Sequence, residues 1–503
     1  MDLGRQEGLA GVERRRRREV VHRSLRIRGA IAPEDPQRTP SLSLWAPEHR
    51  ALTLGLVLTI TFVASEALAV APAVPVLVRE LGGLRLYGWV FSAFMLASLV
   101  GVVVAGQAAD RRGPAPPYLI GLGLFVAGLL IAGTAQSMEV LVVGRAVQGF
   151  GAGAVPAVAY ASIGRSLPEA LRPRMFAVLS TAWVIPGLFA PGIAAFVIRH
   201  ASWRWVFLGL APLVVVTGLV ALPALLKLGP PGGKPAPRRL VAALGVAGGA
   251  ALVLAGLTEQ AVVARIPLVA VGLAVGIPSL RRVLPRGALR ARPGLPATVV
   301  SRGLLTFAFF GGDAYVPLAV QTVRHHSPTL TGVAITVTTL SWTAGAWAQA
   351  RWASAREGRA LVAAGVALVI AGTAGLAATL FAAVPAWLVV PAWTVAGLGM
   401  GLAYAPTTVL VLRQAAPGEE GSASASLTLC DTLGWALGTG VGGAAVAAAE
   451  VAGWPLRNGI LLALACTTAV GFVCLAVSRR LPAGRLVDAA AATGTGSGAG
   501  GGR

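Results

Sequence analysis

The stretch GRAVQGFGAG, from Gly144 to Gly153, decides the fold of this chain. It lies within an apolar segment, Glu139 to Ile163, that is long enough to cross the hydrocarbon core of a bilayer. An arginine is costly in such a segment, so we expect Arg145 to face the protein interior or a water-filled cavity and to have a partner. Glycines follow at every second position, and small residues of this kind let a neighbouring helix approach closely. They are Gly149, Gly151 and Gly153.

The composition is that of a protein embedded in a membrane. Of the 503 residues, 55% are apolar and only 12% are charged, and the mean hydropathy is +0.74. A soluble protein would carry about a quarter charged residues. The net charge of +22 comes from basic residues in short loops between apolar runs, which is typical of membrane topology and not of nucleic-acid binding. We therefore predict an all-α integral membrane protein that contacts the lipid bilayer and no nucleic acid.

Charges, prolines and turn residues divide the sequence into fourteen apolar segments. Six precede and six follow a basic region that holds two shorter segments, at about 240–258 and 262–280. Because those two are short, an arrangement of twelve helices stays open as the alternative to about fourteen. The predicted domains are an N-terminal six-helix bundle at 51–226, a linker with two extra transmembrane helices at 227–295, and a C-terminal six-helix bundle at 296–480.

Arginines and lysines concentrate in alternate loops, and this bias predicts the orientation. The regions Arg111–Arg112, Arg281–Arg292 and Arg479–Arg480 are basic, whereas the loops between such regions hold few positive charges. Because basic loops remain in the cytoplasm, we expect a multi-pass protein of the inner or plasma membrane with both termini in the cytoplasm. Residues 1–50 predict a disordered basic tail, and residues 481–503 predict a flexible cytoplasmic tail.

The chain contains an internal repeat. Three features recur at offsets of 245 to 248 residues: Gly149–Gly153 as Gly397–Gly401, Asp110–Gly113 in degraded form as Ala355–Gly358, and Glu66 as Asp313. The two halves are therefore interpreted as copies of one six-helix unit. Transporters are commonly built from such repeats, with substrate and ion sites at the repeat interface near the membrane midplane.

Glu66 and Arg145 share a depth in the predicted membrane. Glu66 lies ~22 Å from the cytoplasmic end of its helix, and Arg145 lies about 9 Å from the outer end of its own, in a core ~30 Å thick. An ion pair across the N-terminal half is therefore available. The guanidinium keeps the carboxylate ionised, and separation or burial favours protonation, so relative movement of the helices would couple the pair to protons. The alternatives are a permanent structural pair and an arginine that snorkels outward alone.

Two further carboxylates lie in apolar segments of the second half. Asp313 lies ~25 Å from the cytoplasmic side among aromatic residues, so it is a candidate for a proton, for a lipophilic cation or for a polar packing contact. Asp431, near mid-depth, is a candidate for proton or substrate handling, with a packing role as the alternative. Gln148 either orients Arg145 or contacts substrate. Tyr315 is a candidate for substrate contact or helix packing.

The sequence shows no recognisable catalytic or metal-binding pattern. No Ser/His/Asp set, HExxH motif, P-loop or CxxC array is found, so we predict neither an enzyme nor a metal site, and no cofactor. His325 and His326 are most simply interpreted as solvated loop residues. Four tryptophans are candidates either for lining a pocket or for packing and lipid contact: Trp89, Trp183, Trp342 and Trp435.

Together these features resemble the major facilitator superfamily, and within it the fourteen-helix drug:proton antiporter branch. The resemblance covers about residues 50–480. Gly106–Gly113 is similar to the loop signature between the second and third helices, and Leu141–Gly149 is similar to the helix-four signature. Trp203–Phe207 and Val316–Pro328 resemble the start of helix six and the end of the first helix of the second half. The implied fold is two six-helix repeats plus two inserted helices.

The resemblance also implies roles for individual residues. The helix-four arginine, Arg145, is tied to proton transfer, and Glu66 occupies the acidic position of the helix-one motif. The fifth helix keeps part of the antiporter pattern, including Pro191 and Gly192. The loop signature implies a cytoplasmic gate formed by Gly106, Asp110, Arg111 and Gly113. On physical grounds, we expect the Asp110 carboxylate to cap the helix that begins near Ser422.

The resemblance implies proton-coupled export of hydrophobic or cationic small molecules by alternating access. The partners would be the small-molecule substrate and protons, with the proton gradient as the energy source. Export of an endogenous lipid, siderophore or secondary metabolite is the closest alternative, followed by uptake and by a transport-dead sensor or scaffold. Because two repeats enclose a pathway within one chain, we expect a monomer.

Overall fold

The structure is a computed structural model that describes residues 43–230 and 237–486. Most of each predicted tail, at 1–42 and 487–503, lies outside the described residues, as does part of the basic linker at 231–236. Within the described residues the chain is helical and forms no extended strand.

Fourteen long helices account for most of the described chain. Thirteen are long and apolar enough to cross a membrane, and in the fourteenth, Pro328–Trp352, threonines and tryptophans lower the mean hydropathy. All fourteen predicted segments, including the two short ones, form helices in the described residues. The helices are α1 Arg50–Leu81, α2 Trp89–Arg112, α3 Ala115–Gly133, α4 Met138–Ser166, α5 Arg172–His200, α6 Arg204–Leu226, α7 Pro237–Thr258, α8 Val262–Val283, α9 Leu295–Asp313, α10 Pro328–Trp352, α11 Gly358–Ala378, α12 Val389–Gln414, α13 Glu420–Val451 and α14 Leu456–Ser478.

The two halves pack their helices in the same pairs. In the first half α4 packs against α2 and α3, and in the second half α12 packs against α10 and α11. Glycine makes these close approaches possible: a Cβ on Gly153 would collide with the Ser98 backbone of α2, and a Cβ on Gly401 would collide with the Trp342 backbone of α10. The repeated glycine motif therefore has one structural role in both halves, which is to bring two helix backbones into contact.

The inserted helices cover the seam where the two halves meet. Helix α7 packs against α8 and also contacts α2 and α13, one helix from each half. Its buried face, which includes Ala243 and Leu254, forms an apolar cluster with Leu96 of α2 and Ala436 of α13. Helix α8 is largely exposed in the isolated chain, as expected for a helix whose outer surface faces lipid.

Hydrogen bonds join the two halves of the bundle near one of its ends. We call the end that carries residues 43–49 and 479–486 the terminal end, and the opposite end the distal end. Hydrogen bonds join the halves near the distal end: Tyr87 Oη donates to Ala314 O at 2.8 Å, Ser92 Oγ to Ala436 O at 2.8 Å, and Gln321 Nε2 to Pro72 O at 3.0 Å. These contacts close the seam at the distal end.

The start of the C-terminal tail differs from the prediction of flexibility from residue 481. Leu481 and Leu486 are buried at 3% exposure. Leu486 N donates to Ala353 O at 3.0 Å, and Gly358 N donates to Gly484 O at 3.0 Å. Residues 481–486 are therefore held across the loop between α10 and α11, because two leucines in the segment bury their side chains there.

Candidate transport site

Helix α4 places Arg145 against α1 and α2 in the interior of the first half. Its Nη1 forms an ion pair with Glu66 Oε1 and donates to Gln148 Oε1 at 2.7 Å, while its Nε donates to Val90 O at 3.0 Å. The guanidinium also lies over the Phe94 ring, 4.3 Å from its centroid. The structure thus brings together Glu66, Arg145 and Gln148, as their shared depth and helical spacing predict.

This site is sealed from solvent in the described state. Glu66 and Gln148 are 0% exposed, and Arg145 is 2% exposed. One oxygen of the carboxylate, Glu66 Oε2, makes no hydrogen bond within the described residues, and neither does Gln148 Nε2. The carboxylate is therefore paired on one oxygen and open on the other, an arrangement that can accept a proton when the guanidinium moves away.

The repeat places a related but different pair in the second half. Asp313 stands at the position of Glu66, and Trp393 of α12 stands at the position of Arg145, at offsets of 247 and 248 residues. Trp393 Nε1 donates to Asp313 Oδ1 at 2.7 Å. An uncharged donor thus replaces the guanidinium, so the C-terminal acid has no arginine beside it in this pair. Asp313 is half-buried, whereas Glu66 is fully buried.

A cluster of aromatic side chains packs around Trp393, the residue that is hydrogen-bonded to Asp313. Phe310 and Trp435 stack with centroids 3.6 Å apart and planes within 4°. Phe309 stacks on Trp393 at 5.5 Å and meets Trp342 edge-on at 5.5 Å. Phe310, Trp342 and Trp435 are half-buried, which leaves part of each ring accessible. Trp393 therefore links Asp313 to an aromatic cluster that includes Phe309 of the same helix.

Asp431 lies beside a buried arginine, Arg302, that is not among the residues predicted from the sequence. Tyr404 Oη donates to Asp431 Oδ2 at 2.8 Å, and Arg302 Nη1 lies 3.7 Å from Asp431 Oδ1. Arg302 is 2% exposed, and its Nε donates to Thr407 Oγ1 at 2.8 Å. The signal was available, because Arg302 lies within the first apolar segment of the predicted bundle at 296–480, where a charge is expected to have a partner.

Tyr315 and Pro191 lie where the halves meet. Tyr315 Oη donates to Thr439 O at 2.6 Å, and its ring lies 5.4 Å from that of Tyr87 across the seam. A Cβ on Gly332 of α10 would lie 3.1 Å from Pro191 O of α5. These contacts fit the packing interpretation of both residues. The neighbouring Gly192 lines a cavity of about 390 Å³ between α5 and α10 at the distal end.

The predicted gate loop lies against the linker and not against α13. Asp110 and Arg111 are exposed, Gly113 has a φ of 82°, and a Cβ on Gly113 would lie 3.0 Å from Leu228 O. Around Gly106 the space is open. The predicted cap from Asp110 to α13 is not formed: among the described residues no hydrogen bond or ion pair joins them, and the residue before α13 provides no side-chain cap. In this structure hydrogen bonds join the two halves at the distal end, whereas the cap would require Asp110 and the start of α13 to meet at the terminal end.

A family model identifies the architecture that these helices build. The model of the Major Facilitator Superfamily matches residues 52–439, which is more than half of the chain. The chain belongs to the major facilitator superfamily. It is thus a multi-pass membrane transporter with two six-helix repeats and two inserted helices.

Similar proteins include transporters of several kinds. The probable multidrug-efflux transporter Rv1634 of Mycobacterium tuberculosis (strain ATCC 25618 / H37Rv) is 28% identical over 417 residues, covering 79% of this transporter and 88% of that protein. Multidrug resistance protein 3 of Bacillus subtilis (strain 168) is 31% identical over 156 residues, covering 31% of this chain and 30% of that protein. The xylose transporter XylE from E. coli, in a partially occluded inward open conformation, shares the fold at 12% identity with a TM-score of 0.57, covering 86% of this chain and 98% of that chain.

We predict that Arg302 stabilises the second half of this transporter through its charge. Replacing it with methionine leaves Asp431 beside Tyr404 without a cation, and because the Asp431 side chain is 24% exposed the cost should stay below the about 3–5 kcal/mol of a fully buried pair. Arg302→Met should therefore lower the temperature at which the purified protein stops eluting as a single species in size-exclusion chromatography. The double variant Arg302→Met/Asp431→Asn should recover part of the loss, since the bonds from Arg302 to Thr407 and Thr408 stay broken, and a double variant as unstable as the single one contradicts the prediction.

Proposed function

We propose that this transporter exports hydrophobic or cationic small molecules in exchange for protons. The single observation that supports the coupling is the sealed pair of Glu66 and Arg145, with Glu66 Oε2 left without a hydrogen-bond partner. Intramembrane acids of this kind commonly serve proton relays in transporters. The names of similar proteins, among them a probable multidrug-efflux transporter, support export as the direction.

In this proposal the ion pair opens and closes once in each cycle. With Glu66 ionised, its attraction to Arg145 holds α1 against α4. Proton binding to the carboxylate removes that attraction, so the guanidinium keeps its bonds to Val90 O and Gln148 and the two helices become free to shift. Release of the proton on the other side of the membrane restores the pair. A ligand can drive this equilibrium only as far as its affinities for the two states differ.

The described state supports alternating access as the transport mechanism. The halves are hydrogen-bonded near the distal end through Tyr87, Ser92 and Gln321. Under the predicted orientation the distal end faces outward, so this state would receive its substrate from the cytoplasm. The opposite state would break the distal contacts and form new ones at the terminal end, where the gate loop 110–113 lies.

The test is transport by purified protein in proteoliposomes with and without an imposed proton gradient. Ethidium, a lipophilic cation, is a suitable fluorescent probe. Wild type should move the dye faster with the gradient, and Glu66→Gln should lose this dependence because the amide cannot be protonated at neutral pH. The matched control is Glu450→Gln, which makes the same change at an exposed position at the distal end of α13. Gradient-driven transport that is unchanged in well-folded Glu66→Gln overturns the proposed role.

A further inference from the structure

We propose that a turn rich in arginine, at the terminal end of the bundle, binds the phosphate groups of anionic phospholipids. The turn consists of residues 286–292, connects the inserted helix α8 to α9, and is called the arginine turn below. This inference goes beyond the proposed transport activity and does not depend on it, because it assigns a lipid site on the surface of the bundle. Five exposed arginines lie in the turn or at the end of α8 that leads to it: Arg281, Arg282, Arg286, Arg290 and Arg292.

The arginine turn has a fixed backbone conformation. Gly287 has a φ of 89°, and its carbonyl accepts hydrogen bonds from Arg290 N at 3.1 Å and from Arg292 N at 3.2 Å. A Cβ on Gly287 would lie 2.5 Å from Arg292 Cδ, so the Arg292 side chain lies directly against the Gly287 backbone. The turn therefore places Arg292 against the residue that follows Arg286, although the two arginines are six positions apart in the sequence.

Neighbouring elements hold the turn in place. Arg480, which follows α14, donates from Nη1 to Arg290 O at 2.9 Å and to Ala291 O at 3.2 Å. These bonds place the turn at the terminal end and bring a further cation to it. Ala288 is buried in an apolar cluster that includes Leu427 of α13. The arginines therefore extend from an ordered turn that is packed against the bundle.

These cations have no anionic partner among the described residues. There, none of the five exposed arginines forms an ion pair, and none of their side chains donates a hydrogen bond. Glu419 and Glu420 lie at the start of α13, yet neither pairs with the turn. Holding like charges close together costs free energy unless counter-ions screen them or an anion binds. A loop that only sets the membrane orientation needs positive charge but no fixed geometry of this kind.

The surroundings of the turn favour a lipid as the anion. Leu289 is 46% exposed between the arginines, and the apolar surface of α8 that leads to them is exposed as well, including Leu273 and Ile277. A phospholipid would use both features, with its phosphate at the arginines and its acyl chains along α8, whereas a soluble phosphate ester would use only the charges. Under the predicted orientation the turn also faces the cytoplasmic leaflet, whose anionic lipids attract basic segments next to a transmembrane helix.

The test compares arginines of the turn with other arginines at the same end of the bundle. Arg286→Gln/Arg292→Gln removes two charges from the turn and keeps polar side chains there. The matched control is Arg351→Gln/Arg356→Gln, which removes two exposed arginines at the end of α10 and in the loop that follows it. Those two arginines also form no ion pair within the described part of the chain.

The first measurement is a titration of the purified full chain in detergent with phosphatidylglycerol or with zwitterionic phosphatidylcholine, in which native mass spectrometry counts the bound lipid. We expect wild type to bind phosphatidylglycerol more tightly than phosphatidylcholine. Arg286→Gln/Arg292→Gln should weaken binding of phosphatidylglycerol by about tenfold or more, because each basic residue near an anionic headgroup contributes to the affinity. The control variant should stay close to wild type.

The second measurement is thermal stability in size-exclusion chromatography. Phosphatidylglycerol should stabilise wild type by binding to its folded state, and the same concentration of glycerol 3-phosphate should not. In phosphatidylcholine the variant of the turn should be as stable as wild type.

Each contrary result identifies a different error. Equal affinity of wild type for the two lipids, or an equal loss in the control variant, overturns the site, because binding then reflects hydrophobicity or net charge alone. Stabilisation by glycerol 3-phosphate that matches that by phosphatidylglycerol overturns the choice of a lipid. Loss of stability of Arg286→Gln/Arg292→Gln in phosphatidylcholine contradicts the proposal as well, since it assigns the arginines to the fold.

Discussion

Arg145→Met is expected to destabilise this transporter severely and to abolish transport. The substitution leaves the ionised Glu66 fully buried without its counter-ion, and removal of one partner from a buried pair costs about 3–5 kcal/mol. The variant therefore has two ways to respond: it unfolds more readily, or Glu66 takes up a proton and stays neutral. Both responses remove the switch between paired and unpaired states. Thermal stability in size-exclusion chromatography and dye transport in proteoliposomes measure the two effects.

The double variant Arg145→Met/Glu66→Gln separates stability from coupling. It removes both charges, so the thermal stability should return toward that of wild type, while gradient-driven transport stays absent. A control for the loss of a surface charge is Arg85→Met, whose partner Glu139 lies 3.8 Å away with both side chains more than half exposed, and which should change stability little. If the double variant regains stability and also regains gradient-driven transport, the pair is structural and the coupling lies elsewhere.

The helices and the Glu66–Arg145 pair were predictable because a membrane limits the alternatives. Apolar segments of sufficient length must form helices, and a charge inside one of them must find a partner at its own depth. Arg145 and Glu66 were the charges at one depth in the first half, so the sequence was enough to pair them. The repeat was also predictable, because the glycine motif Gly149–Gly153 recurs as Gly397–Gly401. In both halves these glycines allow two helix backbones to come into contact.

Two other features, the role of Trp393 and the absence of the Asp110 cap, could not be predicted from the sequence. Trp393 carries no charge, so nothing in the sequence marks it as a partner for Asp313, although it stands at the position of Arg145 in the repeat. The cap from Asp110 to α13 failed for a different reason. Under the proposed alternating access, such a cap would form in a state that closes the terminal end, and a sequence motif does not report which of two states a structure adopts.

A disulfide across the distal seam is expected to stop transport. Ser92 Oγ and Thr439 Oγ1 lie 3.0 Å apart, one on α2 and the other on α13, and both residues are 0% exposed. Cysteines at these positions would place two sulfurs at about this separation, from which a small side-chain movement forms a disulfide bond of about 2.05 Å. The cross-link would hold the halves together at the end that has to open in the opposite state.

The experiment uses the double variant Ser92→Cys/Thr439→Cys with the native cysteines Cys430, Cys466 and Cys474 replaced by alanine. Oxidised protein in proteoliposomes should show only the dye movement of empty liposomes. A reductant should restore transport, because without the disulfide the two substituted positions leave the distal contacts free to break. Each single-cysteine variant should respond to neither treatment. Undiminished transport by fully cross-linked protein would mean that the distal seam does not open, and alternation between the two ends would then be wrong for this transporter.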